Sequence, residues 1–281
     1  MIPQKNLLEI IELAYKEDVG NGDYSSLATI DAKETGSAKL LVKENGIIAG
    51  IEVAKAVCDY YSKSLSIKTF LKDGDPVKIG DIAFTVSGTQ QDILKAERTI
   101  LNFMQRMSGI ATETNKYVKA VEGLKTKILD TRKTTPALRA FEKEAVAIGG
   151  GTNHRFGLYD MIMLKDNHID FCGGIEKAIE KTLKYLDANK LDIKIEIETR
   201  TFADIEKVIK TGNIQRIMFD NFSIEDTRKA VDMVSGRFET ESSGGITLVN
   251  IRNYAECGVD FISVGALTHH INSLDLSLKK I

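Results

Sequence analysis

Six short apolar runs in the second half of the chain end in polar residues whose types could carry chemistry. In chain order the endings are Asp130-Thr131-Arg132-Lys133, Lys165-Asp166-Asn167-His168, Glu196 and Glu198 on one strand face, Asp220-Asn221, Glu241-Ser242-Ser243-Gly244-Gly245 and Gly265-Ala266, and Asn153-His154-Arg155 precedes the second run. Arginine and lysine bind phosphate and carboxylate oxygens, and carboxylates stabilise a developing positive charge. The combination predicts a site for an anionic substrate.

The cations of these endings are Arg132, Lys133, Arg155 and Lys165, in a chain of formal net charge −2. Four such charges around one site repel one another unless a ligand or neighbouring acids offset them. We therefore expect a substrate that carries several phosphates or carboxylates. Each residue taken alone could instead be a salt-bridge partner or a helix cap.

Ser243-Gly244-Gly245 is predicted to stand just before a helix, because apolar residues at helical spacing follow it over 248–257. Glycines let backbone N–H groups approach a phosphate, and a helix N-terminus favours negative charge. The segment therefore predicts a phosphate-binding turn, with a plain strand-to-helix turn as the alternative.

Alternating strands and helices must position these residues. Strands are predicted over 127–130, 161–164, 193–197, 216–219, 238–241 and 261–264, and helices over 137–148, 175–188, 202–210, 224–234 and 248–257. Such alternation is typical of a parallel sheet with right-handed crossovers. About six units without a G-x-G-x-x-G or Walker A loop favour a closed, TIM-like α/β barrel, in which active residues follow the strand ends.

The first part of the chain mixes strand and helix signals. We predict an N-terminal mixed α/β sandwich domain at 1–110, joined by the tail 270–281, and a barrel domain at 111–269, so the fold class combines α+β and α/β. Apolar runs on either side of Glu44-Asn45-Gly46 predict a hairpin, between 38–42 and 47–49. Apolar periodicity predicts two helices separated by Ser108-Gly109, over 92–107 and 112–121.

Composition excludes several classes of protein. The 281 residues fit about two domains, and 43% hydrophobic with 28% charged residues is typical of a globular chain. The charge balance predicts no nucleic-acid or acidic-membrane partner. Three scattered cysteines predict neither a disulfide framework nor a zinc site and fit the cytoplasm. No apolar run reaches the roughly 18 residues of a membrane span.

Sequence runs in both predicted domains form one ordered set. Thr131 to Ile169 reads TRKTTPALRAFEKEAVAIGGGTNHRFGLYDMIMLKDNHI and is followed by IEIET, MFDNFS, ESSGGIT and ISVGALTH, and the first domain contains LLVKENGIIAGIEVA and AERTILNFMQRMSGIATET. The set spans essentially the whole chain and resembles the quinolinate phosphoribosyltransferases (carboxylating nicotinate-nucleotide pyrophosphorylases), which are type II phosphoribosyltransferases. Tyr24 and His270 are minor departures from the family pattern.

The resemblance implies transfer of phosphoribosyl from phosphoribosyl pyrophosphate to quinolinate, with decarboxylation. It implies catalytic roles for Glu198, Asp220 and Lys165. The implied substrate-binding residues are Arg98, Arg132, Lys133, His154, Arg155, Lys165, Glu198 and Asp220, and the implied 5-phosphate cradle is Ser243, Gly244, Gly245, Gly265 and Ala266.

The resemblance also implies what else the site needs. Mg²⁺ is expected to accompany the pyrophosphate without direct protein ligands, and no organic cofactor is expected. The arginine that corresponds to Arg98 reaches the partner subunit's site in this family, which implies a homodimer with shared active sites.

Three alternatives remain open at this stage. A related type II phosphoribosyltransferase could act on another acid such as nicotinate, although the His154-Arg155 pair together with Arg98 favours a dicarboxylate. Lys133 or Lys165 at a strand end could serve a Schiff-base aldolase. The β-rich first domain could be a non-catalytic binding module.

Overall fold

A computed structural model describes residues 2–281 and shows two compact units. Unit 1 comprises residues 2–115, 134–150 and 267–281, and unit 2 comprises 116–133 and 151–266. The predicted boundary at residue 110 assigns 134–150 to the barrel, whereas the structure groups this segment with unit 1.

The helices and strands follow one another along the chain as α1 (Gln4–Asp18), α2 (Tyr24–Thr29), β1 (Thr35–Val42), β2 (Gly46–Ile47), α3 (Ile51–Tyr61), β3 (Ser66–Thr69), β4 (Pro76–Val77), β5 (Ile82–Thr89), α4 (Gln90–Ala120), β6 (Lys127–Leu129), α5 (Arg139–Ile148), β7 (Ile162–Leu164), α6 (Asp166–Cys172), α7 (Ile175–Asn189), β8 (Ile195–Thr199), α8 (Phe202–Thr211), β9 (Arg216–Asp220), α9 (Ile224–Val234), β10 (Glu239–Ser243), α10 (Ile251–Ala255), β11 (Phe261–Ser263), α11 (Ala266–His269) and β12 (Leu276–Lys280).

Unit 1 is built on a four-stranded antiparallel sheet in the order β12-β1-β5-β3. Ala38, Leu40 and Val42 alternate along β1 and are buried, as expected for a strand with one face on the core. Within the same unit, Phe141 of α5 stacks on Phe103 of α4. This contact explains why α5 belongs to unit 1 although it follows β6 in the sequence.

The predicted hairpin around Glu44-Asn45-Gly46 is wrong. Strand β1 pairs with β5 and β12, whereas β2 pairs with β4 in a separate two-stranded sheet. Both edges of β1 are already occupied, and the chain leaves it with Lys43 donating a backbone hydrogen bond to the carbonyl of Asp275 at 2.9 Å. Long-range pairing has therefore overridden a local turn signal.

The predicted break at Ser108-Gly109 is also wrong, because α4 is one continuous helix of 31 residues. The Ser108 hydroxyl accepts the backbone N–H of Ala49 at 2.9 Å, and no side chain fits at Gly109 because the backbone carbonyl of Asn272 lies against it. Glycine here permits a close approach of two backbones and does not end the helix.

Unit 2 contains a six-stranded parallel sheet in the order β6-β11-β10-β9-β8-β7. All six predicted strands are present, within two residues at each end, and the α/β barrel fold class is confirmed. Leu129 of β6 also forms a parallel bridge to Thr152, just before β7. Every residue of β8 is buried, so its charged residues must be paired inside the barrel.

No helix within residues 2–281 is long and apolar enough to cross a membrane.

Candidate active site

Parallel strands direct their carboxyl ends to the same edge of a sheet, and polar residues stand at this edge in unit 2. Lys165 follows β7, Glu198 lies near the end of β8, and Asp220 and Ser243 end β9 and β10. Gly265 follows β11. These positions are confirmed as strand ends, and we call this edge the barrel mouth.

Lys165 and Glu198 form an ion pair at the mouth. The Nζ of Lys165 lies 3.1 Å from Oε2 of Glu198, and the side chains are 47% and 9% exposed, respectively. A carboxylate this deeply buried needs a partner, and the lysine supplies one. The backbone N–H of Lys165 donates to Nδ1 of His168 at 3.0 Å, which fixes the start of α6. Lys165 is therefore a positioned cation that remains accessible from solvent.

Asp220 is held by its neighbour Asn221. The Asn221 side-chain amide donates to Oδ2 of Asp220 at 2.8 Å, and the Asn221 backbone N–H donates to the carbonyl of Ser243 at 2.8 Å. Gly244 has a φ of +96°, and no side chain fits there because Asn221 lies against it. The ends of β9 and β10 are thus locked together, which fixes the direction of the Asp220 carboxylate.

The predicted phosphate turn differs from the expectation in one respect. Helix α10 begins only at Ile251, so Ser243-Gly244-Gly245 is separated from it by the loop 246–250. The Asn250 side chain bridges this loop, accepting from Thr247 N–H at 2.7 Å and donating to the carbonyl of Gly245 at 3.2 Å. Backbone groups, rather than a helix N-terminus, are therefore what these glycines can offer to a phosphate. Gly265 and Ala266 lie at the start of the short helix α11.

Two arginines lie close enough at the mouth to affect each other. Burial and the charge of Arg132 both lower the pKa of the Arg155 guanidinium. Arg132 is exposed, whereas Arg155 is half-buried and donates from Nη1 to the carbonyl of Met161 at 3.1 Å. Lys133, next along the loop, is exposed. This clustering of cations fits a ligand with negative charge on more than one group.

His154 precedes Arg155 and points its ring into the barrel interior. Its side chain is 5% exposed, and Nε2 lies 3.1 Å from Oε2 of Glu196 and 3.4 Å from Oε2 of Glu241. Its other ring nitrogen, Nδ1, accepts the backbone N–H of Arg155 at 2.6 Å. The His154 backbone N–H donates to the buried carboxylate of Asp130 at 2.8 Å.

Arg216 completes this interior group, which we call the buried cluster: His154, Glu196, Arg216 and Glu241. The Nη1 of Arg216 lies 2.9 Å from Oε2 of Glu241 and 3.8 Å from Oε2 of Glu196, and its guanidinium stacks over the Phe261 ring at 3.9 Å. Glu196 and Glu241 are completely buried. The cluster thus combines two acids with one permanent cation and one imidazole.

The two buried acids have pKa values shifted in opposite directions. Burial raises the pKa of Glu196, and the nearby charge of Glu241 raises it further. Burial also acts to raise the pKa of Glu241, but hydrogen bonding from His154, the charge of Arg216 and the Ser263 hydroxyl lower it overall. Glu241 is therefore the ionised partner of Arg216, and Glu196 is the acid that retains its proton more readily.

Two opposing effects act on the pKa of the His154 ring. Burial lowers its pKa, but Glu196 and Glu241 raise it, to about 9. The Arg155 N–H occupies Nδ1 at 2.6 Å and leaves no space for a proton there. A pKa of about 9 means that at neutral pH the cluster holds one proton more than a neutral ring beside two carboxylates would. Because Nδ1 is occupied by the Arg155 N–H, the geometry places the ring proton on Nε2 and the further proton on Glu196, whose pKa is also raised.

His154, Glu196 and Glu241 are the one group of donor residues within residues 2–281 whose spacing could suit a metal ion. The Arg216 guanidinium already contacts both carboxylates from within the barrel. A divalent cation would have to compete with this fixed positive charge, so the geometry favours an internally balanced cluster over a metal centre.

The sequence-predicted residues of unit 2 lie at or beside strand ends, except that the His154 ring points into the barrel interior, whereas Arg98 lies in unit 1. It is an exposed residue of α4. The buried cluster contains three residues that were not assigned a role from the sequence: Glu196, Arg216 and Glu241. The sequence signal that could have identified them is a charged residue within a short, mostly apolar strand.

Comparison with known proteins identifies the family. The C-terminal domain model of quinolinate phosphoribosyl transferase matches residues 110–279, and the N-terminal domain model matches 23–108. The mitochondrial "Quinolinate phosphoribosyltransferase [decarboxylating] 2a" of Nicotiana tabacum is 44% identical over 99% of this chain and 83% of its own length. The "Probable nicotinate-nucleotide pyrophosphorylase [carboxylating]" of Bacillus subtilis is 39% identical over 97% and 92%.

A solved structure gives the same result at the level of the fold. The nicotinate-nucleotide pyrophosphorylase from Francisella tularensis superposes with a TM-score of 0.94 at 39% identity, covering 100% of this chain and 98% of that one. The matched models span both predicted domains, and the relatives align over nearly the full chain. The chain belongs to the quinolinate phosphoribosyltransferase family of enzymes.

Proposed function

We propose that this chain transfers the 5-phosphoribosyl group from phosphoribosyl pyrophosphate to the ring nitrogen of quinolinate. The 2-carboxylate then leaves as carbon dioxide, so the products are nicotinate mononucleotide, pyrophosphate and CO2. Family membership supports the reaction. The observation from this chain that carries the proposal is the group of cations at the strand ends, in which Lys165 stays accessible beside Glu198 and the charge of Arg132 lowers the pKa of Arg155. A dianionic acid offsets such charges.

The acceptor acid is proposed to bind among the mouth cations. Arg155 and Arg132 can each present two parallel N–H groups to a carboxylate, and Lys133 and Lys165 act as compact charges. Lys165 has three donors, so it can keep its contact with Glu198 and still reach a substrate oxygen. The resemblance also places His154 in the acid-binding set.

The two acids at the mouth are proposed to face the ribose. When pyrophosphate leaves, positive charge develops on the sugar ring, and the fixed carboxylates of Glu198 and Asp220 stabilise it. Glu198 is fixed by Lys165 and Asp220 by Asn221, so neither needs to reorient during the reaction. After transfer, the bond to the 2-carboxylate breaks and leaves its electron pair on the adjacent ring carbon, where the positively charged ring nitrogen stabilises it. A proton then adds to that carbon.

The phosphates are proposed to bind through backbone groups of Ser243, Gly244, Gly245, Gly265 and Ala266. The open space beside Gly245 supports a close approach of an anion. The mouth carboxylates already accept hydrogen bonds from Lys165 and Asn221, which fits a magnesium ion held chiefly by phosphate oxygens and water. Such an ion would offset the charge of the departing pyrophosphate.

We further infer a homodimer in the cytoplasm. Arg98 is exposed on α4, which leaves it able to reach a partner subunit as the family resemblance implies. Cys58 and Cys257 are buried free thiols, and burial raises the pKa of both. Thiols kept reduced in this way fit a reducing compartment.

The proposal is tested by incubating the purified chain with quinolinate, phosphoribosyl pyrophosphate and Mg²⁺ and measuring nicotinate mononucleotide by chromatography. Nicotinate is the control acceptor, and a reaction without Mg²⁺ tests the proposed ion. We expect product from quinolinate and little from nicotinate. Comparable product from both acids would assign the chain to a different acceptor, and no product from either would refute the reaction.

A further inference from the structure

The buried cluster lies beneath the mouth and includes His154, the residue that precedes Arg155 in the chain. Glu196 precedes the mouth residue Glu198 by two positions on β8, so both face the barrel interior. The cluster's contact with the surface residues runs through His154, whose chain neighbour is Arg155. Glu196 and Glu241 are too deeply buried to bind substrate themselves, and the hydrogen bond from the Arg155 N–H to His154 is the contact that joins the cluster to Arg155.

We propose that Glu196, Glu241 and Arg216 are positioning residues that fix the His154 ring, and that this ring fixes Arg155 at the acceptor-acid site. The inference rests on the proposed function, because Arg155 is given its role there.

The His154 ring is held in one orientation by contacts at both of its nitrogens. Nε2 faces the carboxylates of Glu196 and Glu241 at 3.1 and 3.4 Å, and Nδ1 accepts the Arg155 N–H at 2.6 Å. Both ring nitrogens are therefore engaged by protein groups. A flip of the ring would place a carbon atom where each nitrogen now lies, and both contacts would be lost.

The ring is connected to the Arg155 guanidinium through the backbone of Arg155. The Arg155 backbone is held by His154 Nδ1, and its side chain is held by the carbonyl of Met161 at 3.1 Å. The following turn is fixed by Asp160, whose carboxylate accepts the backbone N–H groups of Phe156 and Gly157 at 2.6 and 2.7 Å. Arg155 thus has a fixed backbone and one fixed guanidinium nitrogen, and its remaining donors are available to a ligand.

The charges of the buried cluster are balanced within the barrel. Arg216 is paired with Glu241 at 2.9 Å, and its other nitrogen contacts Glu239 at 3.1 Å. Neither carboxyl oxygen of Glu196 has a partner with hydrogen-bond geometry among residues 2–281, although Oε2 lies 3.1 Å from Nε2 of His154. A neutral carboxyl group tolerates this better than a carboxylate does, so Glu196 is an uncharged polar group in contact with the ring.

The test compares three variants of the full chain. Glu196→Met keeps an unbranched side chain of similar length and removes the oxygen that faces His154. Glu196→Gln keeps an uncharged polar side chain of the same shape and should therefore keep quinolinate binding. Glu239→Gln is the matched control, because it also alters an Arg216 partner but lies outside the buried cluster. Binding of quinolinate alone is measured by titration calorimetry, and KM for each substrate and kcat are measured by product formation.

We expect Glu196→Met to weaken quinolinate binding and raise its KM roughly tenfold to a hundredfold, as a displaced binding group does. The KM for phosphoribosyl pyrophosphate should change by less than about twofold, because this substrate does not depend on Arg155. Glu196→Gln and Glu239→Gln should bind quinolinate as the original chain does. Wild-type binding by Glu196→Met, or equal losses for both substrates, would overturn the proposal.

A measurement on the unsubstituted chain covers the case in which Glu196→Met does not fold. The ¹⁵N resonances of the His154 ring should report an unprotonated Nδ1 and a protonated Nε2 at neutral pH. A ring protonated on Nδ1 could not accept the Arg155 N–H, and that result would overturn the proposal. Failure of the unsubstituted chain to bind quinolinate or form product would instead refute the proposed function.

Discussion

The two glutamates of the buried cluster should respond differently when each is replaced by glutamine. Both side chains are completely buried, and the substitution removes the same charge from nearly the same shape. The pKa of Glu241 is lowered because the stabilising contacts of His154, Arg216 and Ser263 outweigh burial, whereas burial and the charge of Glu241 raise the pKa of Glu196. Glutamine should therefore disturb the site of Glu241 much more.

The size of the difference follows from the partners that remain. Removing one member of a buried ion pair typically costs roughly 3–5 kcal/mol. Arg216 keeps Glu239 at 3.1 Å, so we expect Glu241→Gln to cost about 3 kcal/mol, at the lower end. Glutamine resembles the protonated form of Glu196, so Glu196→Gln should cost about 1 kcal/mol or less. At about 2–4 °C per kcal/mol, the expected falls in Tm are about 6–12 °C and under about 4 °C.

The pH dependence of the two effects should have opposite signs. A group with a raised pKa stabilises the folded state at low pH and loses this contribution as pH rises through its folded value, so Glu196→Gln should gain stability relative to the original chain with rising pH. A group with a lowered pKa contributes above its unfolded value, which is near 4.5 for glutamate. Glu241→Gln should therefore lose relative stability as pH rises from the acid side towards that range.

Far-ultraviolet circular dichroism at one fixed heating rate, repeated at several pH values, measures both quantities. Glu239→Gln is the control for loss of charge beside Arg216 at a partly exposed position, and its Tm should fall by less than that of Glu241→Gln. Equal falls in Tm for the two buried variants, or pH slopes of the same sign, would show that the charges are not distributed as described.

Three further predictions concern the reaction. Glu198→Gln and Asp220→Asn should lower kcat by roughly 100-fold with smaller effects on substrate affinity, because their charge acts mainly in the transition state; unchanged kcat with weaker binding would assign them to positioning. Quinolinate should be preferred over nicotinate by about 2–5 kcal/mol in kcat/KM, and Arg155→Gln should reduce this preference; an unaltered preference would remove Arg155 from the acid site. Mixing Arg98→Ala chains with Lys165→Ala chains should restore about a quarter of normal activity, because half of the random dimers are mixed and each of these has one intact site. If mass spectrometry shows subunit exchange but activity does not recover, the sites are not shared between subunits.

The strands of the barrel could be predicted from the sequence, because each is a short apolar run bounded by polar residues. The pattern is local, and the parallel arrangement follows from the alternation with helices. The polar strand ends could be predicted for the same reason, since parallel strands bring their carboxyl ends to one edge. Lys165, Glu198 and Asp220 were therefore identified from their positions along the chain alone.

Unit 1 was less predictable because its decisive contacts join distant parts of the chain. Asn45-Gly46 has the composition of a hairpin turn, but β12 and β5 occupy both edges of β1. Ser108-Gly109 has the composition of a helix end, but the close approach of Asn272 requires a glycine within a continuous helix. In both cases the local preference is small compared with the long-range packing that opposes it.

The buried cluster was decided by the tertiary structure. The sequence shows that Glu196 and Glu241 lie on strands, and burial of a charge demands a partner, but it does not say which one. Only the register of β8, β9 and β10, together with the turn that carries His154, brings Arg216 and the imidazole to these acids. The sequence by itself determined the family, the strands and the kinds of charge at the mouth. The folded chain decided which charges are paired, because pairing depends on distances between strands far apart in sequence.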